Sequence, residues 1–420
     1  MVVRRCAAPW RPEDGLTCSA ADDSPGRSQT AASILLLLAV AAASAGQTAV
    51  LAFLPTLVDG GQADLALRIH DVHVASLTAA HPLAALVFAP LWGWLADRID
   101  YRIILRTALV VLALATAPVG AVPLPMLYGL RLLAGLSAAA IIPLALLSTN
   151  FAPGGRDEQA RRFTWLTAFM FLGDLFGPLL AEASASLFPR TPLLVLALVI
   201  AVLALALTTG IVRLPARCAA RPEGRRLQAP PRVVTLVLLL VTIVGGGGLA
   251  AMHVSLLVTR SEGALSREAI AGMLSLCGLA MLAAQLFHTR VTWLVTAPRR
   301  LACLTLALLA LSLFLFRFGT TVVEMAGLIA VAGWSSASLR LVTSFWISGP
   351  MRPSGVMLGL QHTAASLGQA LAPMSLAVVS PHRQAAVVEA IGWLSLGLLA
   401  LLPAIWRRTS TPVHPAGERA

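Results

Sequence analysis

The chain has no lysine; all 31 of its basic residues are arginine. Charged residues of both signs occupy only 12% of its 420 positions, whereas a soluble domain carries about a quarter. With 58% hydrophobic residues beside that shortage of charge, the composition is that of a polytopic membrane protein. The five cysteines, Cys6, Cys18, Cys218, Cys277 and Cys303, show no metal-ligand spacing. A P-loop is missing, and with it a means of coupling ATP hydrolysis, as is any nucleophile–base arrangement that would suggest an enzyme. No cofactor and no metal are expected. The net charge of +12 does not argue for nucleic acid, because the arginines are spread over short polar breaks rather than gathered in one patch.

What is present in abundance is apolar sequence of membrane-spanning length. A bilayer core about 30 Å thick needs about 20 apolar residues per helical span. Twelve such runs fit between the polar breaks, at roughly 32–56, 75–95, 103–121, 126–147, 163–186, 192–212, 233–258, 268–288, 301–317, 322–346, 355–379 and 386–406. The expected organisation is a disordered cytoplasmic tail at 1–31, a six-helix bundle at 32–212, a basic, proline-containing hinge at 213–232, a second bundle at 233–406 and a tail at 407–420. The first 30 residues lack the apolar core of a signal peptide. The polar segment up to His73 reads as the longest external loop.

Positive charge is retained on the cytoplasmic side of membrane proteins. If the loop at Asp97 is cytoplasmic, the same side holds Arg156, Arg161 and Arg162, the hinge arginines from Arg213 to Arg232, and Arg299, Arg300, Arg407 and Arg408. The opposite side holds only Arg68, Arg190, Arg260, Arg267, Arg317 and Arg383. Both termini are then cytoplasmic, and all five cysteines lie in the cytoplasm or within helices, where a disulfide would not form.

The loop between spans two and three reads Gly93-Trp-Leu-Ala-Asp97-Arg98 and then Arg102, a charged turn clamped between long apolar runs. It resembles the loop between the second and third helices of the major facilitator superfamily, G-x-x-x-D-R-x-G-x-R. One position departs from that pattern: Asp100 stands where the second glycine is usual, putting a Cβ where a tight turn is expected. The resemblance implies an all-helical fold of twelve transmembrane helices in two six-helix bundles that alternate in access. It also implies a gate made by Gly93, Asp97, Arg98 and Arg102. The eleventh span starts near Gly355 on the same side, so its positive N-terminal dipole is expected to meet the Asp97 carboxylate.

Span four places Arg131 in an otherwise apolar helix, where a cation is costly unless paired or hydrated. Leu127-x3-Arg131-x2-Ala134-Gly135 resembles the family's fourth-helix pattern, with Ala134 where glutamine is usual, and the resemblance assigns Arg131 to proton coupling. The alternative is an arginine reaching to the outer interface. Span five contains Gly173-x3-Gly177-Pro178, similar to the signature of the drug/proton antiporter branch. There, small residues pack closely against the other bundle and the proline kinks the helix. The same helix carries Asp174 and Glu182, roughly 80° apart on its surface at about 100° per residue. Asp174 is expected to share a proton-coupling role with Arg131, with Glu182 in reserve; structural pairing of Asp174 and exposure of Glu182 are the alternatives.

Candidate cavity residues are Gln47, His81, His253, Trp334, Arg340 and Gln361, each with packing as the competing role. The run Gly245–Gly248 is expected to bend or unwind span seven. Taken together, the resemblance implies a secondary transporter in a bacterial-type inner membrane, without nucleic-acid partner and acting as a monomer. The span-five pattern points to export of a small molecule, such as a drug-like compound, a siderophore or another metabolite, against incoming protons. A proton-driven uptake symporter and a non-transporting membrane sensor or assembly protein are the other readings.

Overall fold

A computed structural model describes residues 27–59, 67–149, 156–208, 232–261, 265–291, 297–348, 355–379 and 384–409. Twelve α-helices account for the regular structure among them. In chain order they are α1 (Arg27–Asp59), α2 (Leu67–Ala96), α3 (Tyr101–Thr116), α4 (Leu124–Thr149), α5 (Arg156–Leu187) and α6 (Leu194–Thr208). The second half supplies α7 (Arg232–Ser261), α8 (Arg267–Arg290), α9 (Pro298–Phe316), α10 (Val322–Ser348), α11 (Gly355–Val378) and α12 (Gln384–Thr409). The expected tails and hinge fall almost wholly outside the described residues.

Each helix satisfies its own backbone, as a lipid solvent requires. Nine of the described helices are long and apolar enough to cross a membrane. The remaining three are α3 and α6, which are short, and α11, which is long enough but carries Gln361, His362, Thr363, Ser366 and Gln369. Lipid does not hold such a helix; protein does, and α11 lies against α2 on one side and α7 on the other.

The halves repeat one pattern of packing. In the first, α1 pairs with α5, α2 with α4, and α3 with both α4 and α6; in the second, α7 pairs with α11, α8 with α10, and α9 with both α10 and α12. The two bundles then meet through α2 against α11 and α5 against α8, which are equivalent crossings under the same repeat.

Glycine sets the tightest of these approaches. A Cβ on Gly173 would lie 2.0 Å from the carbonyl oxygen of Ala41, and one on Gly177 would lie 2.5 Å from that of Ala45. Both glycines of the span-five signature therefore seat α5 on α1 of their own bundle, not on the other bundle as expected. Gly368 of α11 does the same against Ile243 of α7, with 2.0 Å to its carbonyl oxygen. Across the bundle boundary, α5 is approached instead by Gly278 of α8, whose Cβ would lie 2.5 Å from the Leu175 amide nitrogen.

Three further expectations are corrected. The helix α2 begins at Leu67, so His70 and His73 belong to it and not to a loop. His70 Nε2 lies 3.3 Å from the Pro55 carbonyl oxygen and His73 Nδ1 lies 3.0 Å from the Tyr128 hydroxyl, contacts that satisfy polar groups the sequence leaves unexplained. The helix α3 ends at Thr116, before Pro118 and a turn in which Gly120 has φ +99°. Finally, α7 runs as one helix through Gly245–Gly248, so the expected unwinding does not occur. These glycines are packing surfaces, facing Leu339, Ala365, Gly368 and Leu309.

Candidate transport site and gate

At the end of α2 the chain closes a turn in which the Asp97 amide donates to the Gly93 carbonyl at 3.2 Å. This leaves the Asp97 carboxylate facing the start of α11, where it accepts the amide hydrogens of Gly355 at 3.1 Å and Val356 at 3.4 Å. The first amides of a helix lack intrahelical partners and carry the positive end of its dipole, so this carboxylate caps α11 from the other bundle. Backbone must come very close here. A Cβ on Gly93 would sit 2.2 Å from the Gly355 carbonyl oxygen.

Asp100, which replaces the family's second glycine, has φ −64° and ψ 114° and caps α3 by accepting the Arg102 amide at 3.0 Å. No left-handed backbone is needed at this position, so the departure from the pattern leaves the turn intact. Arg102 Nε also lies 3.6 Å from Asp100 Oδ1, while the Arg98 guanidinium lies 3.7 Å over the Trp94 ring. Of the four expected gate residues, Gly93 and Asp97 make the contact across the bundles; Arg98 and Arg102 support its loop.

Contacts between the bundles continue inward. The Thr363 hydroxyl donates to the Leu86 carbonyl at 3.3 Å, and Phe163 of α5 packs edge-on to Phe345 of α10, centroids 6.2 Å apart. On the α5–α8 side, the fully buried Gln285 accepts from the Thr167 hydroxyl at 2.9 Å and donates to the Ala337 carbonyl at 3.2 Å. All these contacts lie on the half of the molecule that holds the α2–α3 loop.

Beyond these contacts lies a central cavity of about 100 Å³ between the bundles. Arg131 of α4, Asp174 of α5, His253 of α7 and Arg340 of α10 line it, with Gln47 of α1 and Gln369 of α11. Asp174 sits near the middle of α5, and its Oδ1 accepts the Ser44 hydroxyl at 2.6 Å. Arg340, across the bundle boundary, lines the same cavity as Asp174 and Arg131. Arg340 approaches His362 Nδ1 at 3.4 Å and faces this cavity, not the water beyond the helix end.

Arg131 is only 2% exposed, which removes the alternative of an arginine reaching to the interface. Its Nε donates to the Leu77 carbonyl at 3.2 Å. Among the described residues it forms no ion pair with Asp174, but the two line the same cavity. Other expected residues lie elsewhere. Glu182 lines a separate cavity of about 880 Å³ at the far ends of α1 and α5, together with Arg190 and Leu127. Trp334 packs on Phe287 with centroids 5.8 Å apart, and Gln361 is buried outside the central cavity, to which α11 contributes Gln369. His81 is buried beside Arg131 and Gln47 at the edge of the site. Ser44 and Gln285 were not singled out in the sequence; a lone glutamine in apolar span eight was the available signal for the second.

A sequence profile of the Major Facilitator Superfamily matches residues 36–373. The chain belongs to this superfamily. It is 33% identical over 164 residues to the multidrug resistance protein MdtG of Klebsiella pneumoniae, covering 38% of this chain and 39% of that protein. To the class B tetracycline resistance protein of Escherichia coli it is 30% identical over 135 residues, covering 30% of this chain and 31% of the relative. These matches span less than two-fifths of each relative's length. The crystal structure of the human organic anion transporter MFSD10 superposes with a TM-score of 0.72 at 17% identity, over 88% of this chain and 98% of that one, and so shares its fold. The protein is a membrane-embedded member of the superfamily.

Proposed function

We propose that this superfamily member is a proton-coupled exporter of small molecules, in which Asp174 is the residue that takes and gives the proton. The observation that carries the reading is the position of that carboxylate. It lies near the middle of α5 and faces the central cavity, which Arg340 of the other bundle also lines. Rocking of the bundles changes the separation of the two groups, and with it the relative free energy of the charged and neutral carboxylate. Proton loading is thereby tied to which side the cavity faces.

Asp97 and Gln285 hold the side with the α2–α3 loop shut, and the distribution of arginine supports assigning that side to the cytoplasm. The cavity in this state holds about 100 Å³, against roughly 300 to 1,000 Å³ for pockets that enclose drug-sized molecules. Cargo therefore enters when the bundles part. Export of drug-like compounds is supported by the relatives named for multidrug and tetracycline resistance.

The test is flux of a fluorescent drug-like cation, zwitterion and anion in proteoliposomes of known orientation, with and without an imposed pH gradient. Exchange predicts uphill movement against the proton flow. Movement of cargo in the same direction as the proton would replace the exporter with an uptake symporter.

A further inference from the structure

We propose that the cargo is amphoteric, carrying an anionic group for Arg131 and a cationic group for Asp174 on one amphipathic frame. The inference rests on the reading of Asp174 as the place where cargo and proton exchange, and it names the chemistry of what exchanges there.

The first support is an unspent donor. Arg131 is 2% exposed and lines the central cavity, and while its Nε is engaged by the Leu77 carbonyl, its Nη2 has no hydrogen-bond partner among the described residues. A buried guanidinium so incompletely satisfied is costly in a membrane interior. Its planar fork matches a carboxylate or phosphonate oxygen pair, and Arg340, whose Nη2 is already near His362, has less to spare.

The second support is the sum of charges around the space. With Asp174 ionised, two arginines face one carboxylate. A cargo bearing only positive charge is attracted by Asp174 but repelled by both guanidinium groups. A cargo bearing only negative charge fails differently. Protonation of Asp174 makes the cavity more positive, so proton and anion reinforce each other's binding and travel together, by the reciprocity of linked equilibria. Exchange requires competition. A cationic group that displaces the proton from Asp174, on a molecule whose acidic group is held by Arg131, satisfies both demands, and Ser44 engages only Oδ1 of that carboxylate. Leu51, Ile142, Phe171 and Leu249 provide the apolar walls for the rest of the frame.

The experiment measures binding of three dyes to the purified full chain in detergent by fluorescence anisotropy: rhodamine B, a zwitterion; its ethyl ester, a cation on the same ring system; and fluorescein, an anion. Rhodamine B is expected to bind at least about tenfold more tightly than either, the scale of one charge-assisted hydrogen bond. Arg131→Gln should erase its advantage over the ester, and Asp174→Asn its advantage over fluorescein. Equal or tighter binding of the ester or of fluorescein to the unmodified protein overturns the proposal, as does failure of all three to bind. The ranking on unmodified protein decides even if Arg131→Gln does not fold. Flux separates the two readings: a preference for rhodamine B without any response to a pH gradient supports the amphoteric site and sinks proton exchange instead.

Discussion

The Asp97 carboxylate and the Gly355 amide, 258 positions apart in sequence, meet at 3.1 Å and join the two bundles. A charge-assisted hydrogen bond of this kind is worth about 1.5 to 3 kcal/mol, so it biases a two-state gate by roughly tenfold or more. Asp97→Asn retains an acceptor oxygen and removes the charge. Turnover in proteoliposomes should fall about tenfold, while yield and thermal unfolding in detergent stay as in the unmodified protein. Unchanged flux would remove Asp97 from the gate.

Gln285 is predicted to be the second clasp, on the α5–α8 side. Its amide is paired at both ends, to Thr167 across the boundary and to the Ala337 carbonyl within its own bundle, and Gln285→Leu removes the acceptor of the Thr167 hydroxyl, the one of these bonds that joins the bundles. Spin labels on α5 and α8 near this crossing should report a longer mean distance and a larger open population in the variant. Identical distance distributions would reduce Gln285 to ordinary packing.

Asp174→Asn should abolish the response of flux to a pH gradient and leave downhill exchange of cargo partly intact, since an amide still offers hydrogen bonds to the site. Ser44→Ala, which removes the 2.6 Å partner, should weaken the response without abolishing it. If Asp174→Asn follows the gradient as the unmodified protein does, the proton travels by another group.

The two cavity arginines should fail in different ways. Arg131→Ala removes a cation held by little besides Leu77 and is expected to damage cargo affinity more than Arg340→Ala does. Arg340→Ala removes a charge from the cavity that Asp174 lines and should alter the pH at which flux is half-maximal. Equal effects of both variants on affinity and on pH dependence would contradict this division.

Much of this was legible in the sequence. Apolar runs bounded by arginine, proline and glycine located all twelve helices, because the length of a span is imposed by the bilayer rather than by subtle propensity. Asp97 was expected at the start of α11 from the family's loop motif together with charge and helix dipole, and its carboxylate accepts the Gly355 amide there. What the sequence withheld was contact between distant spans. The pairing of Asp174 with Ser44 and the presence of Arg340 on the same cavity cannot be read from helical spacing within span five. The glycine run misled for a related reason. Isolated, four glycines weaken a helix; here Leu339, Ala365, Gly368 and Leu309 pack against them and α7 continues as a helix. Glu182 shares a helix with Asp174 but opens on a different cavity.

A labelling experiment tests the orientation. Cys218 lies outside the described residues, in the arginine-rich stretch expected to be cytoplasmic. In a variant retaining only this cysteine, a membrane-impermeant maleimide should react in inverted vesicles and not in intact cells. Reaction from outside the cell would reverse the orientation of every helix.

The polarity of α11 has a consequence for how the chain is made. A segment with two glutamines and a histidine, among them the buried Gln361 and His362, gains little from partitioning into lipid by itself. Its residence in the bilayer is therefore a late event of biogenesis, completed when α2, inserted long before it, and α7 enclose it. The first six helices can wait in the membrane for their partners, but the last six, synthesised alone, would expose α11 along the side that α2 covers and would be prey to membrane quality control.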